Sequence, residues 1–170
     1  EYIGLELINP LTVGKKYFIK LHVSLSANPT PQCETNNIGE LFSNSIYIKD
    51  TILHPNTPFI NNFAHIYAPN IISDTLSWTP ISGSFTADSS YRYVYIGNFF
   101  DDINTDSILL GGIACNSYYF LDDICVSDDS SYCELVSGYG YAISDDIYIV
   151  YPTPANQSLY YDLKYNEMYS

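Results

Sequence analysis

"YFIKLHVSL", residues 17–25, decides the fold. Tyr17, Ile19, Leu21, Val23 and Leu25 are apolar and alternate with Phe18, Lys20, His22 and Ser24, three of which are polar. A period of two puts the first set on one face of a β-strand and the second on the other, so one face meets a core and one meets water. Helical spacing is nearly absent elsewhere. Short alternating runs recur at about residues 2–8, 45–49, 76–86, 91–97, 108–114, 117–127, 147–151 and 158–163. Stretches rich in Pro, Asn and Ser separate them, among them "SANPTPQ" (26–32) and "HPNTPFINN" (54–62). Strands at this spacing, with no helices between them, predict an all-β, antiparallel jelly-roll β-sandwich.

At 170 residues the chain can bury roughly 70% of its unfolded surface in one domain with a small appendage. Six Lys and Arg against 19 Asp and Glu give a net charge of −13, which disfavours nucleic acid and anionic membranes as partners. Cations and neutral ligands such as sugars suit that charge better. The 18 tyrosines fit half-wet pleated sheets. No apolar run reaches about 18 residues, so no membrane span is expected. The chain opens in what reads as mid-strand, without a signal peptide, as a piece of a longer secreted protein would. After Cys133, "ELVSGYGYAISDD" (134–146) has the composition of a linker, and "IYIVYPTPANQSLYYDL" (147–163) restarts a strand pattern. The expected layout is a first domain over 1–133, a linker over 134–146 and the start of a second, partial β-sandwich over 147–170.

Cys33, Cys115, Cys125 and Cys133 show neither C-x-x-C spacing nor adjacent histidines, so two disulfides are expected rather than zinc or redox chemistry. Three pairings are possible in principle.

"FLDDICVS" (120–127) drives two carboxylates through a strand. Period two places Tyr118, Phe120, Asp122, Ile124 and Val126 on one face and Tyr119, Leu121, Asp123, Cys125 and Ser127 on the other. Asp122 then sits among core-type residues, where a bare carboxylate is costly. It needs a cation, a hydrogen-bonded turn or edge arrangement, or a catalytic role. Because adjacent strand residues point oppositely, Asp122 and Asp123 do not readily act together as general acid and base.

Tyr91, Tyr93 and Tyr95 alternate with Arg92, Val94 and Ile96, forming an aromatic row that could stack on sugar rings or pack across strands. Trp78 alternates with Leu76 and reads as core. Asp102, Asn104 and Asp106 begin an EF-hand-like loop, but Ser107 and Ile113 replace the Gly and Glu it needs, which leaves a solvated acidic loop. His22, His54 and His65 lie in different segments with no nucleophile motif, H-E-x-x-H pair or phosphate-cradling loop. A hydrolase is unsupported, and the chain reads as a non-enzyme.

The string from "LSWTPISGSFTADSSYRYVYIGNFFDD" (76–102) through "CNSYYFLDDICVS" (115–127) to Cys133 resembles the secreted jelly-roll domains of Bacteroidota surface proteins. These are relatives of galactose-binding-like carbohydrate-binding modules. Trp78, Gly83, Phe85, Ala87, Tyr93, Ile96, Gly97, Asn98, Phe99, Tyr118, Tyr119, Asp122 and Asp123 carry the pattern. The resemblance covers about residues 1–133 and puts the domain's first strand before residue 1. It implies pairing of Cys125 with Cys133 and, by remainder, of Cys33 with Cys115. It also implies a structural Ca²⁺ at Asp122, completed by first-strand residues outside this chain. "YPTPANQSLYYDL" (151–163) is similar to the start of a type IX secretion sorting domain through Tyr151, Pro152, Pro154, Ala155, Leu159, Tyr160 and Leu163. "DTI" (50–52), "DTL" (74–76) and "DSI" (106–108) match the O-glycosylation pattern of Bacteroidota, making Thr51, Thr75 and Ser107 candidate acceptors. Together these imply a secreted or outer-surface module that binds a glycan or surface polymer at Tyr91, Tyr93 and Tyr95 and uses the type IX machinery. A structural subunit or spacer of a surface fibre or adhesin, without a small ligand, is the rival.

Overall fold

The computed structural model describes residues 2–27, 33–46, 60–111, 115–135 and 147–150. Among these described residues ten strands and one short helix follow in chain order: β1 (Ile3–Glu6), β2 (Lys16–Leu25), β3 (Cys33–Thr35), β4 (Ile38–Ser43), β5 (Ile66–Tyr67), β6 (Thr79–Thr86), β7 (Tyr93–Asn98), β8 (Ser107–Leu109), β9 (Tyr119–Ser127), α1 (Ser130–Leu135) and β10 (Ile147–Val150). One sheet has the order β10-β9-β2-β6, the other β1-β7-β4-β5, and β3 and β8 form a separate ribbon. Every described strand pair is antiparallel. Among the described residues no helix is long and apolar enough to cross a membrane.

The alternation of residues 17–25 does what its period requires. Tyr17, Ile19, Leu21, Val23 and Leu25 are all buried in β2, each worth about 1.5–3 kcal/mol when fully removed from water. Ile81, Ile124 and Val126 join them from the same sheet, and Ile38, Phe42, Val94 and Ile96 meet them from the other. Two antiparallel sheets thus face each other across one apolar layer, which is a sandwich arrangement. A smaller cluster, Leu41, Ala64, Tyr95 and Phe99, covers the opposite side of the second sheet.

β5 approaches β4 at a glycine. A Cβ built on Gly39 would stand 2.1 Å from the Ile66 carbonyl oxygen and 2.7 Å from Tyr67 Cα, so no larger residue fits without moving β5. On the facing sheet, the Ile66 side chain occupies the space a Cβ on Gly83 would need, 2.6 Å away. These two glycines let β5 close one edge of the sandwich.

Strict alternation fails in β9. Its register with β2 runs Leu121↔Val23 and Asp122↔His22, then resumes at Cys125↔Lys20. Asp123 and Ile124 therefore oppose Leu21 alone, and Asp123 takes φ 50°, a left-handed conformation that Asp tolerates better than most residues. The bulge switches faces. Before it, Tyr119 and Leu121 point inward, and after it Ile124 and Val126 do. Tyr118 and Phe120 are exposed, contrary to the single face expected for Tyr118 through Val126. Tyr119 confirms the switch, since its hydroxyl accepts the Thr35 N–H (2.8 Å) and donates to the Ile72 carbonyl (3.0 Å).

Other expectations also change. β3, β4 and β5 were not anticipated, whereas Ser45 and Ile46 are not in a strand and residues 47–49 lie outside the described residues. Trp78 is 42% exposed and Leu76 95%, because the strand starts only at Thr79 and the preceding turn presents both to solvent. Helix α1 runs two residues into the expected linker. Strand β10, expected to open a second sandwich, pairs with β9 and extends the first one's sheet. The remainder of that linker, and residues 151–170 with their sorting-domain resemblance, lie outside the described residues. Disulfides join Cys33 to Cys115 and Cys125 to Cys133, the pairs that the resemblance implied.

Candidate functional site

His65 is the hub of an aromatic cluster at the edge that β5 closes. Its backbone N–H donates to the Glu40 carbonyl (2.9 Å), and its Nδ1 accepts the backbone N–H of Phe42 (3.1 Å). Both bonds go to β4, so ring and backbone are fixed to the same strand. The imidazole centroid lies 5.0 Å from Phe63, 4.7 Å from Phe85, 5.1 Å from Tyr91 and 5.4 Å from Phe42. Three of these contacts are edge-to-face, the arrangement that ring quadrupoles favour.

Above the cluster lies an open pocket of about 320 Å³, lined by Phe63, His65, Phe85, Thr86, Asp88 and Tyr91. Phe85 comes from β6 and Tyr91 from the approach to β7. The Tyr91 hydroxyl donates to Asp88 Oδ1 (2.5 Å). Burial, with the Asp88 carboxylate beside it, raises the Tyr91 hydroxyl to about 12. Burial lowers His65 to about 4 against the opposing pull of Asp88, so the ring is neutral at pH 7. Apolar rings with a few convergent polar groups are the usual makeup of a small-ligand site.

The three-tyrosine platform does not form. Tyr91 packs with the core and lines the pocket, whereas Tyr93 and Tyr95 pack against Leu41, Ala64 and Phe99. Tyr95 is only 6% exposed, its ring lies against Gly4, and its hydroxyl donates to the Ser45 carbonyl (3.3 Å). Residue 91 precedes the regular strand, so extrapolating period two back from Tyr93 places it wrongly.

Asp122 is 4% exposed and lies opposite His22 on the outer side of its sheet. Its Oδ1 accepts the Asp123 N–H (2.9 Å), while its Oδ2 has no partner, and burial raises its pKa. His22 Nδ1 stands 3.1 Å from Asp123 Oδ2, close enough for an ion pair but not aligned as a hydrogen bond. Calcium takes six to eight oxygen ligands, of which this stretch offers the carboxylates of Asp122 and Asp123, beside the imidazole of His22. Among the described residues no group of three His, Cys, Asp or Glu side chains could hold a metal. The turn arrangement is the reading the contacts support.

The 101–106 loop spends its polar groups on itself and on four neighbouring asparagines, Asn36, Asn37, Asn62 and Asn98. Asp101 Oδ1 accepts from Asn104 Nδ2 (2.7 Å), and Asp101 Oδ2 from Asn62 Nδ2 (2.9 Å). The Asn104 carbonyl accepts from Asn37 Nδ2 (2.7 Å), and Asp106 N–H donates to Asn36 Oδ1 (2.8 Å). Thr75 lies exposed in a turn where Asp74 Oδ1 accepts the N–H groups of Leu76 and Ser77, both at 2.8 Å. Ser107 is exposed in β8, and Thr51 lies outside the described residues.

Sequence reading missed His65 as a pocket residue and missed Glu40 altogether. Glu40 faces the core between Ile38 and Phe42, is 0% exposed, and has no partner for either carboxyl oxygen. Burial raises its pKa to about 8. The available signal was an acid with apolar residues two positions away on each side, the same pattern that marks Asp122. Comparison of the chain with protein-family models, curated proteins and solved structures finds no match.

Proposed function

We propose that this chain is a non-catalytic, exported surface module that binds neutral glycans or mediates adhesion, and that the Phe63–His65–Phe85–Tyr91 pocket is its recognition site. The observation that carries the reading is the pocket itself: exposed ring faces beside one carboxylate, on a chain whose charge of −13 discourages anionic ligands. Rings stack on the C–H faces of sugars, and Asp88 can accept a hydroxyl hydrogen bond. Two disulfides fit an oxidising compartment. Export by the type IX machinery rests on the resemblance of residues 151–163 alone.

A neutral-polysaccharide array tests it. Phe63 is 51% exposed, so Phe63→Ala should leave the fold intact and abolish retention of the glycan that the wild-type chain captures. An array with no wild-type binding would sink the reading. The rival, a structural subunit without a small ligand, draws support from the exposed Leu76, Trp78, Ile103 and Leu109. Concentration-dependent self-association in sedimentation, together with a blank array, would favour it.

A further inference from the structure

We propose that His65 is the pocket's hydrogen-bond donor, locked as the Nε2–H tautomer by the Phe42 amide, and that it selects ligands presenting an uncharged oxygen. The inference rests on the pocket being a glycan site.

A neutral imidazole has one donor and one acceptor nitrogen. Nδ1 receives the Phe42 N–H at 3.1 Å, so it carries no hydrogen and the proton is on Nε2. Turning the ring over would place a C–H against that amide and strand a backbone donor, a loss of about 1–3 kcal/mol. The rings of Phe42, Phe63, Phe85 and Tyr91 leave little room for the turn. Among the described residues nothing accepts from Nε2, and His65 lines the pocket. Asp88 is the acceptor counterpart, with Oδ1 engaged by Tyr91.

The pocket therefore offers a donor and an acceptor at separate points above apolar rings. A hydroxyl-bearing ring satisfies both. An anion meets Asp88, and a cation meets the N–H of His65, although rings and a carboxylate alone would have suited it. Among the described residues, the titratable or charged groups around the imidazole are Asp88 and the neutral Tyr91 hydroxyl. Phe42, Phe63 and Phe85 bring only rings, and Glu40 brings its backbone carbonyl.

Long-range ¹H–¹⁵N correlation on the uniformly labelled full chain reads the tautomer directly, and the Nε2–H form is expected at pH 7. Neutral oligosaccharides from glucan, mannan, galactan and xylan, together with choline and glucuronate, are then titrated. A neutral oligosaccharide is expected to bind. His65→Phe, which keeps an aromatic ring, should weaken it about tenfold, the worth of one hydrogen bond, and His65→Gln, which restores an N–H near the Nε2 position, should recover most of the loss. The Nδ1–H tautomer in the wild-type chain would overturn the proposal whether or not His65→Phe folds. Glycan binding unchanged by His65→Phe would remove the donor assignment and leave the glycan reading standing. Binding of choline alone, or of none of the probes, would remove both.

Discussion

Glu40→Gln should stabilise this protein increasingly as pH rises, and the size of the effect follows from where Glu40 sits. Its carboxyl lies between the sheets, beside Ile38 and Phe42 on its own strand, with Ile96 and Ile66 opposite. With neither oxygen partnered, burial alone raises the pKa from 4.5 to about 8. Between those values the unfolded chain has released the proton while the folded chain retains it. Stability therefore falls as pH rises across the interval, by about 1.4 kcal/mol per unit. It is fully present below pH 4.5, and about 5 kcal/mol is lost above pH 8, a large share of the 5–15 kcal/mol typical of a domain. Gln has nearly the same shape and does not titrate. Urea unfolding of both proteins at pH 5, 6, 7 and 8 is the assay, because other titrating groups cancel in the difference between them. The difference should widen by about 1.4 kcal/mol per unit over that range. A constant difference would show that the carboxyl is ionised or partnered, and would refute the reasoning. Glu40→Leu should add a second, pH-independent gain by removing an unsatisfied buried group.

Gly39→Ala should cost about 1–3 kcal/mol in urea unfolding, since the new methyl would collide with the backbone of β5; glycan retention on the array should fall as well, because His65 directly precedes that strand. Asp123→Gly should fold as well as the parent, and Asp123→Val should be destabilised by about 1–2 kcal/mol, as expected at φ 50°; equal effects of the two would mean that the bulge is not left-handed. His65 titrates in the opposite sense to Glu40. With its pKa lowered from 6.5 to about 4, its contribution is present above pH 6.5 and lost as pH falls through 4, so His65→Gln should flatten the acid side of the stability profile.

The sheet architecture was legible wherever one face is dry and the other wet. Residues 17–25 are the clearest case, because β2 lies inside its sheet with a single core face and alternation is then forced. β4 was illegible for the opposite reason. Every residue from Ile38 to Ser43 is buried, because the two clusters cover both faces, and a strand dry on both sides has no alternation to read. The pocket was half legible. Tyr91 and Phe85 fall in recognisable strand sequence, but His65 immediately precedes a two-residue strand whose approach to β4 Gly39 admits, a tertiary fact with no local signature. Trp78 failed because alternation was carried three residues past the end of the pairing, which stops at Thr79.

Glu40 and Asp122 carry the same sequence signature yet reach different ends, and strand pairing explains why. Each is an acid flanked at two residues' distance by apolar side chains. At Asp122, among the described residues, β9 pairs with β2 only, and the described part of β10 ends opposite Cys125. Inserting an extra residue there disturbs one ladder, and the resulting left-handed Asp123 supplies its own N–H to Asp122 (2.9 Å). The carboxylate leaves the core face. At Glu40, β4 pairs with β7 through Ile96 and with β5 through Ile66, so a bulge would disturb two ladders at once. Register is held from Ile38 to Ser43, and the side chain stays between the sheets. Its proton is then the cheapest adjustment left, which is why the carboxyl is neutral in the folded chain at pH 7 and why its cost appears as pH rises.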